Sequence, residues 1–101
     1  MARWGDRVGV GVVEQLVLGP HEPTGLTGIL DGARRRHRVA AAEVDHQDRW
    51  QRSELAFAAV GSSVHQVAEV LDAVERFVWS FPEVEVVDAW RRWLDDEEDR
   101  P

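Results

Sequence analysis

Val8, Val10 and Val12 alternate with Gly9, Gly11 and Val13, a period of two that predicts a first strand over about 8–18. Gly19 and Pro20 stop it. A short helix is expected over roughly 27–37, with Arg34, Arg35, Arg36 and His37 complementing the dipole of its last turn. Gly25, Gly28 and Gly32 lie in or before this helix, and each interior glycine costs about 1 kcal/mol relative to alanine. Two further strands are expected, over about 39–44 and about 52–60, the latter closed by Gly61.

The strongest periodicity follows. Val64, Val67, Ala68, Leu71, Val74, Val78 and Phe81 form one apolar stripe at helical spacing, predicting a helix over about 63–81. Ser63 and Gln66 have the spacing of a capping box. Asp72 and Arg76 are set to pair on the wet side, and Pro82 ends the run. A last strand is expected over about 84–94.

The order βαββαβ defines an α+β, ferredoxin-like fold, an antiparallel four-stranded sheet with two helices on one face. The other face then has no cover from its own chain. Alternation assigns Ala40, Ala42 and Val44 to the helix side of the second strand, with Ala41, Glu43 and Asp45 outward. In the third, Leu55, Phe57 and Ala59 point to the helices, and Glu54, Ala56, Ala58 and Val60 outward. Either phase of the last strand exposes a tryptophan, Trp90 or Trp93. A wet sheet face is normally polar. An apolar one calls for a partner, and a homodimer is the expected one.

Composition narrows the class. At 101 residues the chain makes a single domain over 1–94, followed by an acidic tail, 95–101, expected to be frayed. The net charge is −7, and Asp95, Asp96, Glu97, Glu98 and Asp99 supply much of it. The absence of cysteine excludes disulfides and thiolate metal sites and fits a reducing, cytoplasmic setting. No apolar run approaches the ~20 residues of a membrane span. All 12 basic residues are arginine, which excludes Schiff-base chemistry on lysine.

Candidate chemistry concentrates between the second and third strands, in Glu43, Asp45, His46, Asp48, Arg49 and Arg52, with Trp50 among them. Glu43 and Asp45, two apart on one strand face, would stand ~6.5–7 Å apart and could work with His46 as an acid–base site. A salt-bridged turn neutralised by Arg49 and Arg52 uses the same residues without chemistry. His21, His37, His46 and His65 have no metal-ligand spacing, and Gly25, Gly28 and Gly32 match no phosphate-binding loop, so neither metal nor cofactor is expected. Arg34, Arg35, Arg36 and Arg38 form a basic knot suited to phosphate, but the aromatic interleaving of an RNA-stacking surface is missing.

Arg34–Arg36, Glu43–Asp45, Gln47, Asp48, Trp50–Arg52, the 70–78 segment VLDAVERFV and the 82–93 segment PEVEVVDAWRRW resemble the YlxP-like proteins of bacteria. The resemblance covers 34–94 well and 8–20 loosely. It implies a small, cytosolic, ferredoxin-like domain. It also implies a link to RNA or the ribosome, because genes of that family commonly lie near translation genes. The family has no established catalytic residues to carry over. Its relatives open the first helix with a Ser-Leu-Lys-x-Lys-Arg segment, and here His21–Gly28 stands in that place. That departure and the acidic charge weaken the RNA link.

Two readings result. In the first, the chain is a non-catalytic, dimeric binding module that holds a protein, RNA, peptide or small-molecule partner through Trp50, Arg52, Trp90, Trp93 and the arginines 34–36. In the second, it is a small cofactor-free enzyme whose dimer encloses a pocket with Glu43, Asp45 and His46 as acid–base groups.

Overall fold

A computed structural model of the chain describes residues 9–19, 26–47 and 52–95. The elements run β1 (Val10–Leu18), α1 (Leu26–His37), β2 (Ala40–Gln47), β3 (Arg52–Gly61), α2 (Val64–Trp79) and β4 (Val86–Asp95). The sheet is antiparallel in the order β2-β3-β1-β4, the ferredoxin-like α+β arrangement. Gly25, Asp48, Arg49, Trp50 and the tail from 96 onward lie outside the described residues, as do the side chains of Asp45, His46 and Arg52.

Both helices cover one face. Val12, Leu16, Leu18, Leu55 and Phe57 from the sheet meet Ile29 and Ala33 of α1 and Val67, Leu71, Val74 and Val78 of α2 in a dry core. Burying such side chains stabilises the fold by about 1.5–3 kcal/mol each. The glycine that makes α1 look weak has a packing reason. A Cβ on Gly32 would collide with the Phe77 ring, so its absence lets α2 approach α1 closely. That ring then carries His37 at 5.5 Å, Phe81 edge-on at 5.1 Å and the Arg36 guanidinium at 5.4 Å.

The caps of α2 differ slightly from the expected box. Ser63 Oγ accepts from the Gln66 backbone N–H at 3.1 Å. The Gln66 side chain reaches one residue further back and accepts from the Ser62 backbone N–H at 3.0 Å. The helix stops at Trp79, two residues short of Phe81. Ser80 donates its N–H to the Arg76 and Phe77 carbonyls and its hydroxyl to Phe77, and Pro82 keeps Phe81 out of helical geometry.

Register corrects one strand. Ala41 pairs with Phe57 and is buried, so Ala41 lies on the helix side of β2, and Ala40 and Ala42 lie on the open side. The expected phase was the reverse. Five small or apolar residues from 39 to 44 carry no amphipathic signal, and the pairing with β3 decides instead. The register also shifts between Glu43 and Asp45. Glu43 sits opposite Leu55, a helix-side residue, whereas Asp45 sits opposite Glu54, an open-side one. The bulge therefore breaks the strict two-residue alternation of the backbone between positions 43 and 45. In β3 the alternation holds as read, with Leu55, Phe57 and Ala59 buried.

Candidate functional site

Two polar constellations stand on opposite sides of the sheet, and both begin at neighbouring residues of β1. On the open side, the pairings align three rows across the strands. Ala40, Ala58, Val13 and Arg92 form one row, and Ala42, Ala56, Gln15 and Trp90 the next. Asp45, Glu54, Val17 and Asp88 form the third. Trp90 donates its indole N–H to Gln15 Oε1 at 2.9 Å, and the Gln15 amide lies 3.4 Å from Glu54 Oε1. The indole thus leans over β1 while remaining 42% exposed. Beside it, Val13, Gln15, Trp90, Arg91 and Arg92 line an open depression of about 500 Å³. Val60, at 85%, is exposed on the same side.

Of the two tryptophans of β4, Trp90 is therefore the one on the open face. Trp93 pairs with Val12 on the helix side and packs against the core edge. The exposed side of this sheet is built of alanine and valine around one polar line, with Glu54, Asp88 and Arg92 at its ends.

On the helix side lies a constellation that the sequence reading passed over. Glu14 is fully buried, at 0% exposure. Its register partner Arg91 places Nε 3.2 Å from Glu14 Oε1. The Arg91 Nη2 atom also reaches Asp72 Oδ1 at 2.7 Å and Glu75 Oε2 at 3.2 Å, both on α2. Asp72 thus turns to the sheet instead of to Arg76. Among the described residues, Glu14 Oε2 is buried without a hydrogen-bond partner. Burial pushes the Glu14 carboxyl up to about 8, with a hydrogen bond to Glu75 and its charge adding to the effect, and Arg91 only partly opposing it. A protonated Glu14 turns Oε2 into a donor and gives it an acceptor in Glu75. Burial works against the charge of Arg91, but the hydrogen bond to Asp72 and the three surrounding carboxyls outweigh it and raise its pKa. The enclosure that shifts Glu14 also keeps it out of contact with solvent. Its signal was in the sequence: an acid at an inward position between Val12 and Leu16.

The basic knot is partly spent within the fold. Arg34 donates to the Ala41 carbonyl at 2.7 Å and pairs with Asp31 at 2.9 Å, tying α1 to edge strand β2, while Arg36 lies over Phe77. Arg35 and Arg38 are exposed. His65 faces solvent and meets Glu69 at 3.2 Å. Among the described residues no group of acids and histidines could hold a metal ion. None of the described helices is long and apolar enough to cross a membrane.

The fold and its two faces define a small ferredoxin-like domain with one sheet surface that the described residues leave uncovered. The chain belongs to the family described as "Protein of unknown function (DUF503)", whose model matches residues 25–91. It is 37% identical over 69 residues to the uncharacterized protein YlxP of Bacillus subtilis (strain 168), covering 68% of this chain and 75% of that protein. The expected YlxP-like membership is thereby shown. Among solved structures it is similar to a de novo designed protein, Foldit4, with a TM-score of 0.54, 14% identity and coverage of 84% of this chain and 96% of that one. At that identity the likeness concerns the fold alone.

Proposed function

We propose that this chain is a non-catalytic binding module that works as a homodimer through its open sheet face. The observation that supports this reading is the composition of that face. Ala40, Ala42, Ala56, Ala58, Val13, Val17, Val60 and Trp90 lie where a solvated sheet would carry polar side chains. Small residues also allow another sheet to approach to the ~10 Å spacing of packed sheets.

The reading commits to a protein partner over RNA for two reasons. Arg34 and Arg36 are engaged within the fold, and the net charge of −7 repels phosphate. The acid–base alternative draws no support from β2, where the register shift puts Glu43 and Asp45 opposite residues of different faces.

Sedimentation equilibrium on the full chain tests the proposal. The expected mass is twice 11.5 kDa, reverting to 11.5 kDa in Ala56→Arg with an unchanged circular dichroism spectrum. A monomer at every concentration overturns it. Salt-sensitive RNA binding lost on Arg35→Ala and Arg38→Ala would replace it with the nucleic-acid reading.

A further inference from the structure

β4 is anchored differently from its neighbours. It lies at an edge of the sheet, hydrogen-bonded to β1. None of its residues from 86 to 93 is buried, whereas every second residue of β1 is, as are Ser53, Leu55, Phe57 and Ala59 of β3. Val86 and Trp93 reach only the margin of the core. The polar clasp goes further. Arg91 of β4 reaches Glu14 of β1 at 3.2 Å and, on α2, Asp72 at 2.7 Å and Glu75 at 3.2 Å.

We propose that β4 is a proton-latched edge strand: with a proton held between Glu14 and Glu75, Arg91 clasps β4 to β1 and α2, and loss of that proton frees β4 while the other strands stay paired. Neither state requires a second copy. Release leaves β1 as the sheet edge, with backbone N–H and C=O groups open to another strand.

The clasp needs the proton because of its charge balance. Among the described residues, the charged groups facing Glu14 are Arg91 of β4 and Asp72 and Glu75 of α2; its partner on β3 is Phe57, and α1 brings it no charge. Three ionised carboxyls around this guanidinium would leave Glu14 Oε2 as a bare, desolvated oxygen, since it is buried without a hydrogen-bond partner. A proton makes it a donor to Glu75 and relieves the repulsion between the two. Lifting β4 takes Arg91 away and lets water reach Glu14, so the open state holds the proton no more tightly than an ordinary carboxyl. α2 is not the part that moves, because Val67, Leu71, Val74 and Val78 root it in the core. The sign follows. Closed Glu14 keeps its proton to about pH 8 and open Glu14 to about 4.5, so opening releases a proton and is favoured as pH rises. The opening constant should climb about tenfold per pH unit between those values and level off above the higher one.

Amide hydrogen exchange of the full chain, followed by NMR between about pH 6 and 9 and corrected for base catalysis, tests the latch. The β4 amides bonded to β1 should lose protection by about tenfold per unit up to about pH 8. At that pH they should be at least about tenfold less protected than the β3 amides bonded to β2. Glu14→Gln keeps a donor towards Glu75 but cannot titrate, and its β4 protection should not change with pH. Equal protection of β4 and β3 at every pH means that β4 leaves only by global unfolding, and overturns the proposal. So does a pH-independent β4 in the wild type, or the wild-type slope persisting in Glu14→Gln. Should Glu14→Gln not fold, the ¹³C shift of the Glu14 carboxyl in the wild type decides: a proton retained at about pH 7 supports the latch, and a carboxyl already ionised at about pH 6 overturns it.

Discussion

Glu14 and Gln15 are neighbours in β1 and live under opposite physics. Glu14 faces the helices at 0% exposure, with three ionisable groups gathered round it and its own carboxyl near pKa 8. Gln15 faces the open side, neutral and half-buried, and makes its contacts to Trp90 and Glu54 as an uncharged amide. One backbone step separates a charge network in low dielectric from a surface where the same polarity costs little. On the helix side, Arg91 of β4 joins Glu14 of β1 to Asp72 and Glu75 of α2 and so ties that helix to the sheet.

That contrast can be broken most forcefully by pH. The folded pKa of Glu14, about 8, lies above its ordinary 4.5, so the folded state holds the proton more tightly than the unfolded state. Its contribution is fully present below about pH 4.5 and is lost as pH rises through 8. The slope approaches about 1.4 kcal/mol per pH unit between those values. Urea denaturation of the wild type against Glu14→Gln isolates it. The glutamine variant should lack the slope and be the more stable of the two at pH 8. Parallel curves would show that Glu14 is ionised in the fold.

Arg91→Leu removes the cation shared by Glu14, Asp72 and Glu75, and should cost about 3–5 kcal/mol by the same assay. Gly32→Ala drives a methyl into the Phe77 ring and should cost about 1–3 kcal/mol, read as a lowered Tm. The open side should respond least. Gln15→Glu sets a second carboxylate beside Glu54, and under monomeric conditions should shift stability by less than about 1 kcal/mol. If Gln15→Glu proved as costly as Arg91→Leu, the two sides would not differ in the way described.

The helices, β3 and the strand order were legible because their signals are local. The stripe from Val67 to Val78 and the alternation from Leu55 to Ala59 each repeat with a single period. β2 was not legible, because Ala40, Ala41 and Ala42 offer no contrast between sides and a bulge follows them. Its phase comes from hydrogen bonding to β3, which follows it in the chain. The open side was legible as a surface needing cover, and Trp90 was among the residues read for it. The choice between Trp90 and Trp93 needed the register with β1, which alternation within β4 alone cannot supply. The Glu14 network escaped notice because its members are scattered from 14 to 91 and each looks like ordinary surface charge in its own element.

The irregularity at Val44 has a consequence for comparing this chain with its relatives. A relative one residue shorter there, with the hairpin pairing kept, would lose the bulge and leave positions 45–47 opposite the same residues of β3. Ungapped alignments through this stretch would then equate residues one step apart in the ladder. Inferences of shared chemistry from Asp45 or His46 hold only between sequences whose indel pattern at position 44 agrees.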